Sequence, residues 1–391
     1  MARYRLMPIP TQEAILRQHC AHARYVWNLA VEQQSWWRPG RTSAPGYVAQ
    51  CRQLTEARSE NLWLADGSQI VQQQALRDFG QAMANFFAGT HGRPTWRKAV
   101  RDEGFRIVAL RAKNIRRLSR RTGQVRIPKV GWVRFRWSRA VPIARSYRVT
   151  LDRAGRWHVA FAVRPTPTPA PGTGEVTGID RGVAVSAALS TGELLRCPGL
   201  RQPERRRLCR LQRRLSRARR GSRRRERIRA AVAKLHARES DRRKDWVEKV
   251  STDLARRFDL IRVEDLRIRD MTRSATGTVE RPGRNIRQKS SLNRAILCNG
   301  WGLLVRRLED KAVGRVQKVN PAFTSQRCSV CRTVDAKSRK SQADFACRSC
   351  GFTCNADVNA ARNIAAGHAV SARGRLPLGE RVNREPQPSA S

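Results

Sequence analysis

The spacing of Cys328-Ser-Val-Cys331 and Cys347-Arg-Ser-Cys350, C-x2-C-x15-C-x2-C, constrains this chain more than any other feature. Each Cys-x-x-Cys closes a tight knuckle that presents two sulfurs to one tetrahedral ion. Four thiolates leave no open position for water, so the zinc ion this spacing predicts is structural. Two unrelated thiol pairs is the bland reading of the same residues. Cys354 is a fifth thiol, read as a buried apolar residue, with replacement of Cys350 as a ligand the alternative. Arg327, Arg332, Lys337, Arg339, Lys340 and Arg348 crowd the unit. They serve to hold nucleic acid against it or to balance the negative zinc tetrathiolate.

Seven residues after Cys350 stands Asp357, in Asn-Ala-Asp357-Val-Asn-Ala-Ala. Two further acids end apolar runs: Asp180 in Val-Thr-Gly-Ile-Asp180-Arg-Gly and Glu264 in Leu-Ile-Arg-Val-Glu264-Asp-Leu. Phosphodiester cleavage needs an activated water and a stabilised leaving oxygen. Two Mg²⁺ ions about 4 Å apart supply both, and carboxylates hold them. Asp180 and Glu264 end strands, Asp357 begins a helix, and Gly182 lets backbone approach a ligand. Sequence-distant acids on adjacent elements are how a ribonuclease-H-like sheet builds such a site. Singly, each has a duller role: Asp180 capping a turn, Glu264 pairing with a surface arginine, Asp357 N-capping its helix. Asp265 is a rival ligand that would point to the other strand face.

Charge narrows the partners. Lys and Arg total 80 against 31 Asp and Glu, giving +49 and a pI near 11.7. The complement of such a surface is a polyanion, with nucleic acid ahead of an anionic membrane. No run approaches the roughly 18 to 20 apolar residues of a membrane span. Met-Ala-Arg-Tyr-Arg-Leu-Met-Pro lacks a signal-peptide core. A soluble, cytoplasmic protein is therefore expected. Of ten cysteines, Cys20, Cys51, Cys197, Cys209, Cys298 and Cys354 are scattered as in a reducing compartment, which argues against a secreted disulfide scaffold.

The chain is long enough for two or three domains. Residues 1–10 read as a short strand. Thr11 is an N-cap candidate, with Glu13 in the first turn, for a helix ending near Arg38-Pro39-Gly40. A second helix starts near Ser68 and runs to Phe86-Phe87, so 11–95 forms a helical unit. From about 104 to 165 the pattern is β, with apolar and basic residues alternating through Gln124–Trp137 and a hairpin at Asp152-Arg-Ala-Gly155. Pro165–Pro171 is a stiff linker and a domain boundary. Strands follow at Val176–Asp180, Val183–Leu189, Leu194-Leu195, Leu260–Val263 and Val313–Val319. Residues 200–258 read as a helical hairpin broken at Gly221. Helices are expected over Asn293–Val305 and 356–366, and a disordered tail over 369–391.

The hairpin carries the densest basic run. Arg205, Arg206, Arg207, Arg213, Arg214, Arg217, Arg220 and Arg224 are assigned to nucleic acid. The leucine stripe of Leu208, Leu211 and Leu215 favours ordered helices over a solvated tract. Such contacts grip phosphates without reading sequence. Trp36, Trp37, Trp63, Trp96, Trp132 and Trp137 are candidates for base stacking, though each is first read as core. His19 and His22 are read as structural.

The order Gly-Ile-Asp180-Arg-Gly, Val-Glu264-Asp-Leu, Asn320-Pro-Ala-Phe-Thr-Ser-Gln-Arg-Cys328-Ser-Val-Cys331, Cys347-Arg-Ser-Cys350-Gly-Phe and Asp357-Val-Asn-Ala-Ala-Arg-Asn-Ile resembles the TnpB family, transposon-encoded proteins similar to the ancestors of type V CRISPR nucleases. Tyr4-Arg-Leu, His22–Asn28, Phe86–Pro94 and Ile127–Gly131 match its opening, helical unit and barrel. The resemblance implies a multidomain α/β plus β-barrel fold. A WED-like barrel (1–10 and 96–165) holds a helical REC-like insertion (11–95). After a linker at 166–175 comes a RuvC-like nuclease domain (176–322 and 355–368), which contains the basic hairpin and is interrupted by a zinc unit (323–354). It also implies catalysis by Asp180, Glu264 and Asp357 with two Mg²⁺ ions. The implied partners are a guide RNA from the transposon end and a matching double-stranded DNA target, with a monomer binding the RNA. Arg332 stands where the family usually has glycine, and Asn355-Ala356 where arginine is common.

Other classes stay open at this stage. A non-catalytic regulator of transposition would use the same basic surface without the acids. A DDE-type transposase fits poorly, because the zinc unit falls between the second and third acids. A compact type V CRISPR effector differs only in genomic setting.

Overall fold

A computed structural model describes residues 2–36, 44–163 and 165–367. Trp37, the expected helix end at Arg38-Pro39-Gly40 and the tail at 369–391 lie outside the described residues. The chain forms two compact units, Met1–Arg164 with Arg210–Lys234, and Pro165–Cys209 with Leu235–Ser391.

In the first unit, β1 (Ala2–Met7) buries Tyr4 and Leu6 and turns its arginines outward. Helices α1 (Pro10–Ser35), α2 (Tyr47–Glu60), α3 (Leu62–Ala65) and α4 (Gln69–Phe87) follow, then β2 (Gly104–Val108), β3 (Ile115–Arg117), β4 (Thr122–Ile127), β5 (Gly131–Arg136), β6 (Ser146–Leu151) and β7 (Trp157–Phe161). The strands make one antiparallel sheet in the order β2-β6-β7-β1-β5-β4-β3. Strand β1 joins its halves, pairing with β7 through residues 2–5 and with β5 through Leu6 and Met7. Among the described residues the ladder stays open between β2 and β3. Tyr4 meets Phe135 and Phe161 edge-on at 5.5 and 5.6 Å, which knits both halves into one core.

Two readings of this unit change. Helix α1 begins at Pro10, with Ile9 rather than Thr11 at the cap. Proline suits a first helical position because it has no N–H to leave unpaired, and the Gln12 side chain accepts from the Ile9 N–H instead. Helix α2 was not expected: it buries only Gln50 and Leu54, too thin a stripe to stand out in sequence.

The second unit holds β8 (Val176–Asp180), β9 (Ala187–Leu189) and β10 (Leu194–Leu195). Then come α5 (Gln202–Arg217), α6 (Arg223–Arg257), β11 (Leu260–Glu264), α7 (Ile268–Met271), α8 (Ile286–Asn299), α9 (Trp301–Lys311), β12 (Val316–Val319), β13 (Asp344–Ala346), β14 (Thr353–Asn355) and α10 (Ala356–Ala366). The end of α5 and the start of α6, 210–234, belong to the first unit. The sheet order is β10-β9-β8-β11-β12, with β8, β11 and β12 parallel and β9 and β10 antiparallel. Pairing of Val263 with Ile179 puts the last residues of β8 and β11, Asp180 and Glu264, at the same edge.

The strand expected over 183–189 shortens to Ala187–Leu189. The carbonyls of Gly182 and Val183 accept from Trp301 Nε1 and Asn299 Nδ2 at 3.2 and 3.0 Å, so this stretch is held as a loop. The helix expected over 293–305 is two helices, because Gly300 between them is left-handed (φ 70°). The strand expected from Val313 starts at Val316.

Helix α10 lies across β8 through one close approach. A Cβ on Gly178 would stand 2.1 Å from the Ala361 carbonyl and 2.3 Å from the Ala365 nitrogen. Glycine in the strand and alanines on the helix let the two backbones meet. That contact brings the start of α10, and Asp357 with it, to the end of β8.

Candidate active site and metal centres

The two cysteine knuckles repeat one backbone geometry. The amides of Cys328 and Cys347 donate to the carbonyls of Thr333 and Phe352, and those of Arg332 and Gly351 to the carbonyls of Cys328 and Cys347. Both knuckles then turn left-handed, at Gly351 (φ 73°) and at Arg332 (φ 68°). This explains the glycine usual at the Arg332 position; a side chain there costs roughly 1 kcal/mol. All four sulfurs lie within 4.8 Å of one another, with Cys331–Cys347 at 3.5 Å and Cys328–Cys350 at 3.8 Å. Zn–S bonds of about 2.3 Å in a tetrahedron place sulfurs about 3.8 Å apart, so the set can hold a zinc ion. Cys354 stays outside it and packs against Phe345 and Ala356.

The zinc unit runs directly into α10. Asn355, the last residue of β14, caps the helix by accepting from the amides of Asp357 and Val358 at 3.0 and 3.2 Å. Capping is therefore done by Asn355, and the Asp357 carboxylate is free for other work. Buried Asn359 and Asn363 on α10 both donate to the Arg327 carbonyl at 2.7 Å, and Asn363 donates to the Thr324 carbonyl at 2.9 Å. The metal unit and the helix bearing Asp357 are thus one hydrogen-bonded body.

Asp180, Glu264 and Asp357 come from three elements to one end of the sheet. Glu264 and Asp357 are buried, whereas Asp265 is exposed. Burial raises the Asp180 carboxyl, and the charges of Glu264 and Asp357 raise it further, to about 7. Burial also raises Glu264 and Asp357, opposed by hydrogen bonds from Thr324 and Arg339 respectively. The like charges of Glu264 and Asp357, in a poorly solvated place, favour the neutral form of Asp180. Among the described residues the thiols alone converge within 4.8 Å, so these carboxylate oxygens are spread more widely than one coordination shell.

Three supporting residues were not singled out for this site in the sequence. Thr324 Oγ1 donates to Glu264 Oε1 at 2.7 Å. Arg339 Nη2 reaches Asp357 Oδ1 at 3.2 Å from the zinc unit. The buried Arg181 guanidinium donates to the Glu264 carbonyl, tying the ends of β8 and β11. Sequence offered one signal, a threonine and an arginine flanking the thiols, but not which acid each meets.

The hairpin arginines divide between the two units, with 205–207 in the second and 213–224 in the first. Arg205, Arg206, Arg207, Arg213, Arg214, Arg217, Arg220 and Arg224 are all exposed, and none forms an ion pair among the described residues. Arg225 Nη1 closes the hairpin by donating to the carbonyls of Leu215 and Ala218. Of the tryptophans read first as core, Trp36, Trp63 and Trp96 are exposed. His19 and His22 are buried on α1, His19 against the Pro128 carbonyl at 2.9 Å. No helix among the described residues is long and apolar enough to cross a membrane.

Mixed α/β architecture, with a four-thiol unit leading into the helix that carries the last acid, defines the class of this protein. Family models match residues 158–275 ("Probable transposase", OrfB_IS605), 301–364 ("Cas12f1-like, TNB domain") and 2–41 ("Helix-turn-helix domain"). Within the last match, Ala2–Met7 is a strand and Pro10–Ser35 a helix. The chain is 34% identical to "Putative RNA-guided DNA endonuclease InsQ" of Escherichia coli (strain K12), over 98% of this chain and 96% of that protein. It is 35% identical to a "Putative RNA-guided DNA endonuclease" of Streptomyces pristinaespiralis, over 95% and 90%. A chain in "Cryo-EM structure of the Cas12f1-sgRNA-target DNA complex" shares the fold, with a TM-score of 0.53 and 14% identity, over 91% of this chain and 83% of that one. The chain belongs to the TnpB family of transposon-encoded OrfB proteins.

Proposed function

We infer that this protein is an RNA-guided, Mg²⁺-dependent DNA endonuclease that cuts DNA matched to its guide. The observation that carries the reading is that Asp180, Glu264 and Asp357, remote in sequence, come to one end of the parallel strands β8 and β11, Asp357 through the close approach of α10 at Gly178. Carboxylate oxygens suit Mg²⁺, and a pair of ions about 4 Å apart accommodates donors spread wider than one shell. When bound, the ions supply an activated water and neutralise the leaving oxygen. Thr324 orients Glu264, Arg181 fixes the strand ends, and Arg339 balances Asp357. The four thiols hold one zinc ion, which fixes the body carrying Arg339 and the start of α10.

On this reading residues 1–10 and 96–165 are the WED-like part, 11–95 the REC-like part, 166–175 the linker, 176–322 and 355–368 the RuvC-like domain, and 323–354 the zinc unit. The unpaired arginines of α5 and α6 hold phosphates. Guide–target pairing supplies the sequence information, so the protein needs only to grip a heteroduplex by its backbone. The partners are an RNA from the transposon end and a double-stranded DNA target, bound by a protein monomer.

Replacing Asp180 by alanine tests this. With copurified RNA and Mg²⁺, cleavage is expected to fall on the order of 1,000-fold, the rate equivalent of several kcal/mol of lost metal assistance. RNA binding should stay within a few-fold. Undiminished cleavage, or loss of RNA binding in this variant, overturns the assignment.

A further inference from the structure

Between α4 and β2, in the first unit, an irregular segment walls a cavity of about 520 Å³ lined by Trp27, Trp96, Arg97, Lys98, Arg101 and Asp102. Its central group is the Arg97 guanidinium, 3.6 Å above the Trp27 ring centroid. This cation is built in place. Trp27 Nε1 donates to the Thr95 carbonyl at 2.9 Å. Asn28 holds the Arg97 backbone from both sides, donating to its carbonyl at 3.1 Å and accepting from its amide at 2.8 Å.

Yet the guanidinium makes no ion pair among the described residues, because the acids around it are committed elsewhere. Asp78 pairs with Arg106 and Arg148. Glu103 pairs with Arg24 and accepts from the Val100 amide. Asp102 accepts from the Lys98 amide. Burial pushes Arg97 down to about 10, with the Arg148 charge adding to the shift and the Asp78 and Asp102 charges opposing it. Beside it Trp96 is 53% exposed, with Lys98 and Arg101 also exposed. A guanidinium held on Trp27 without an ion pair, next to a half-exposed indole, matches a phosphate attached to a flat ring. Stacking on an exposed aromatic suits a base that is not itself paired.

We propose that this cavity binds one unpaired nucleotide of a nucleic-acid strand, its phosphate on Arg97 and its base on Trp96. The proposal rests on the reading of the chain as a nucleic-acid-binding protein, but not on the carboxylate site. The strand is RNA or DNA, which share this chemistry.

Full-length protein is cross-linked to short single strands carrying 5-iodouracil, in one RNA arm and one DNA arm, and the modified peptides are mapped. The expected adduct lies on the peptide containing Trp96, and the arm that gives it identifies the strand. Trp96→Ala should remove the adduct and weaken binding of that strand about fivefold or more, the size of one lost base stack. Trp96→Phe, which keeps a ring, should retain both. Absence of the adduct in both arms overturns the proposal, as does unchanged affinity in a Trp96→Ala protein of unaltered melting temperature. The same adduct is expected in Asp180→Ala protein, so failure of the nuclease reading is distinguishable from failure here.

Discussion

Two sets of metal-type donors lie close along the second unit, and they are assembled differently. The four thiols converge within 4.8 Å, whereas the three carboxylates stay farther apart with Arg339 reaching in to Asp357. Each cysteine pair is positioned by hydrogen bonds inside its own six-residue knuckle, so local backbone geometry sets each pair. The acids sit on β8, β11 and α10, and only packing joins them. Burial then pushes all three toward protonation, and like charge adds to it at Asp180. One site is set by the chain's local geometry; the other is set by the core and is tuned by its electrostatics.

The largest effect after loss of Asp180 should come from Cys347→Ser. It should lower bound zinc and reduce the melting temperature by about 5 °C or more, since structural zinc binding is folding free energy. Because β14 leads into α10, cleavage should fall with it. A variant with full zinc and unchanged melting would break the contrast, by showing that the thiol site is not a folding unit.

A smaller effect is expected at Thr324. Removing its hydroxyl in Thr324→Val should raise the Mg²⁺ needed for half-maximal cleavage about tenfold, the scale of a lost outer-shell hydrogen bond. Thr324→Ser should stay near wild type. Bound zinc should be the same in both, which separates the two sites. Equal Mg²⁺ requirements in the two variants would remove Thr324 from the account.

The smallest effect is the pH dependence of stability in chelator. The native Asp180 carboxyl is raised to about 7, so between about pH 4 and 7 the folded chain keeps a proton that the unfolded chain has released. Stability from this group is present at low pH and is lost as pH rises through that window. His158, depressed to about 4 by burial, acts in the opposite direction, as do His19 and His22. The readout is therefore the difference in melting temperature between wild type and Asp180→Asn. That difference should widen in favour of Asp180→Asn as pH rises, and Mg²⁺ should narrow it. A gap that shrinks with rising pH in chelator would sink the repulsion argument.

The strand ending at Asp180, the hairpin broken at Gly221 and the helix starting at 356 were legible in sequence because each carries its own pattern or breaker. Helix α2 was not, since two buried side chains leave no stripe. Gly300 was read through as helix interior, where its left-handed turn splits α8 from α9. The loop after Asp180 reads as strand because 183–189 is a nearly continuous apolar run, while the bonds that hold its start come from Asn299 and Trp301, over a hundred residues away. Thr324, Arg339 and Arg181 escaped for the same reason.

Sequence by itself determined the four-thiol unit and the basic character of the hairpin, because spacing and charge are local properties. Tertiary structure alone decided that Asn355 rather than Asp357 caps α10, that Asp265 faces solvent, and that Gly178 lets α10 close over β8. Those outcomes depend on which surfaces meet. Close packing settles that, since this strand and helix meet at their backbones where the strand carries no side chain and the helix only methyl groups.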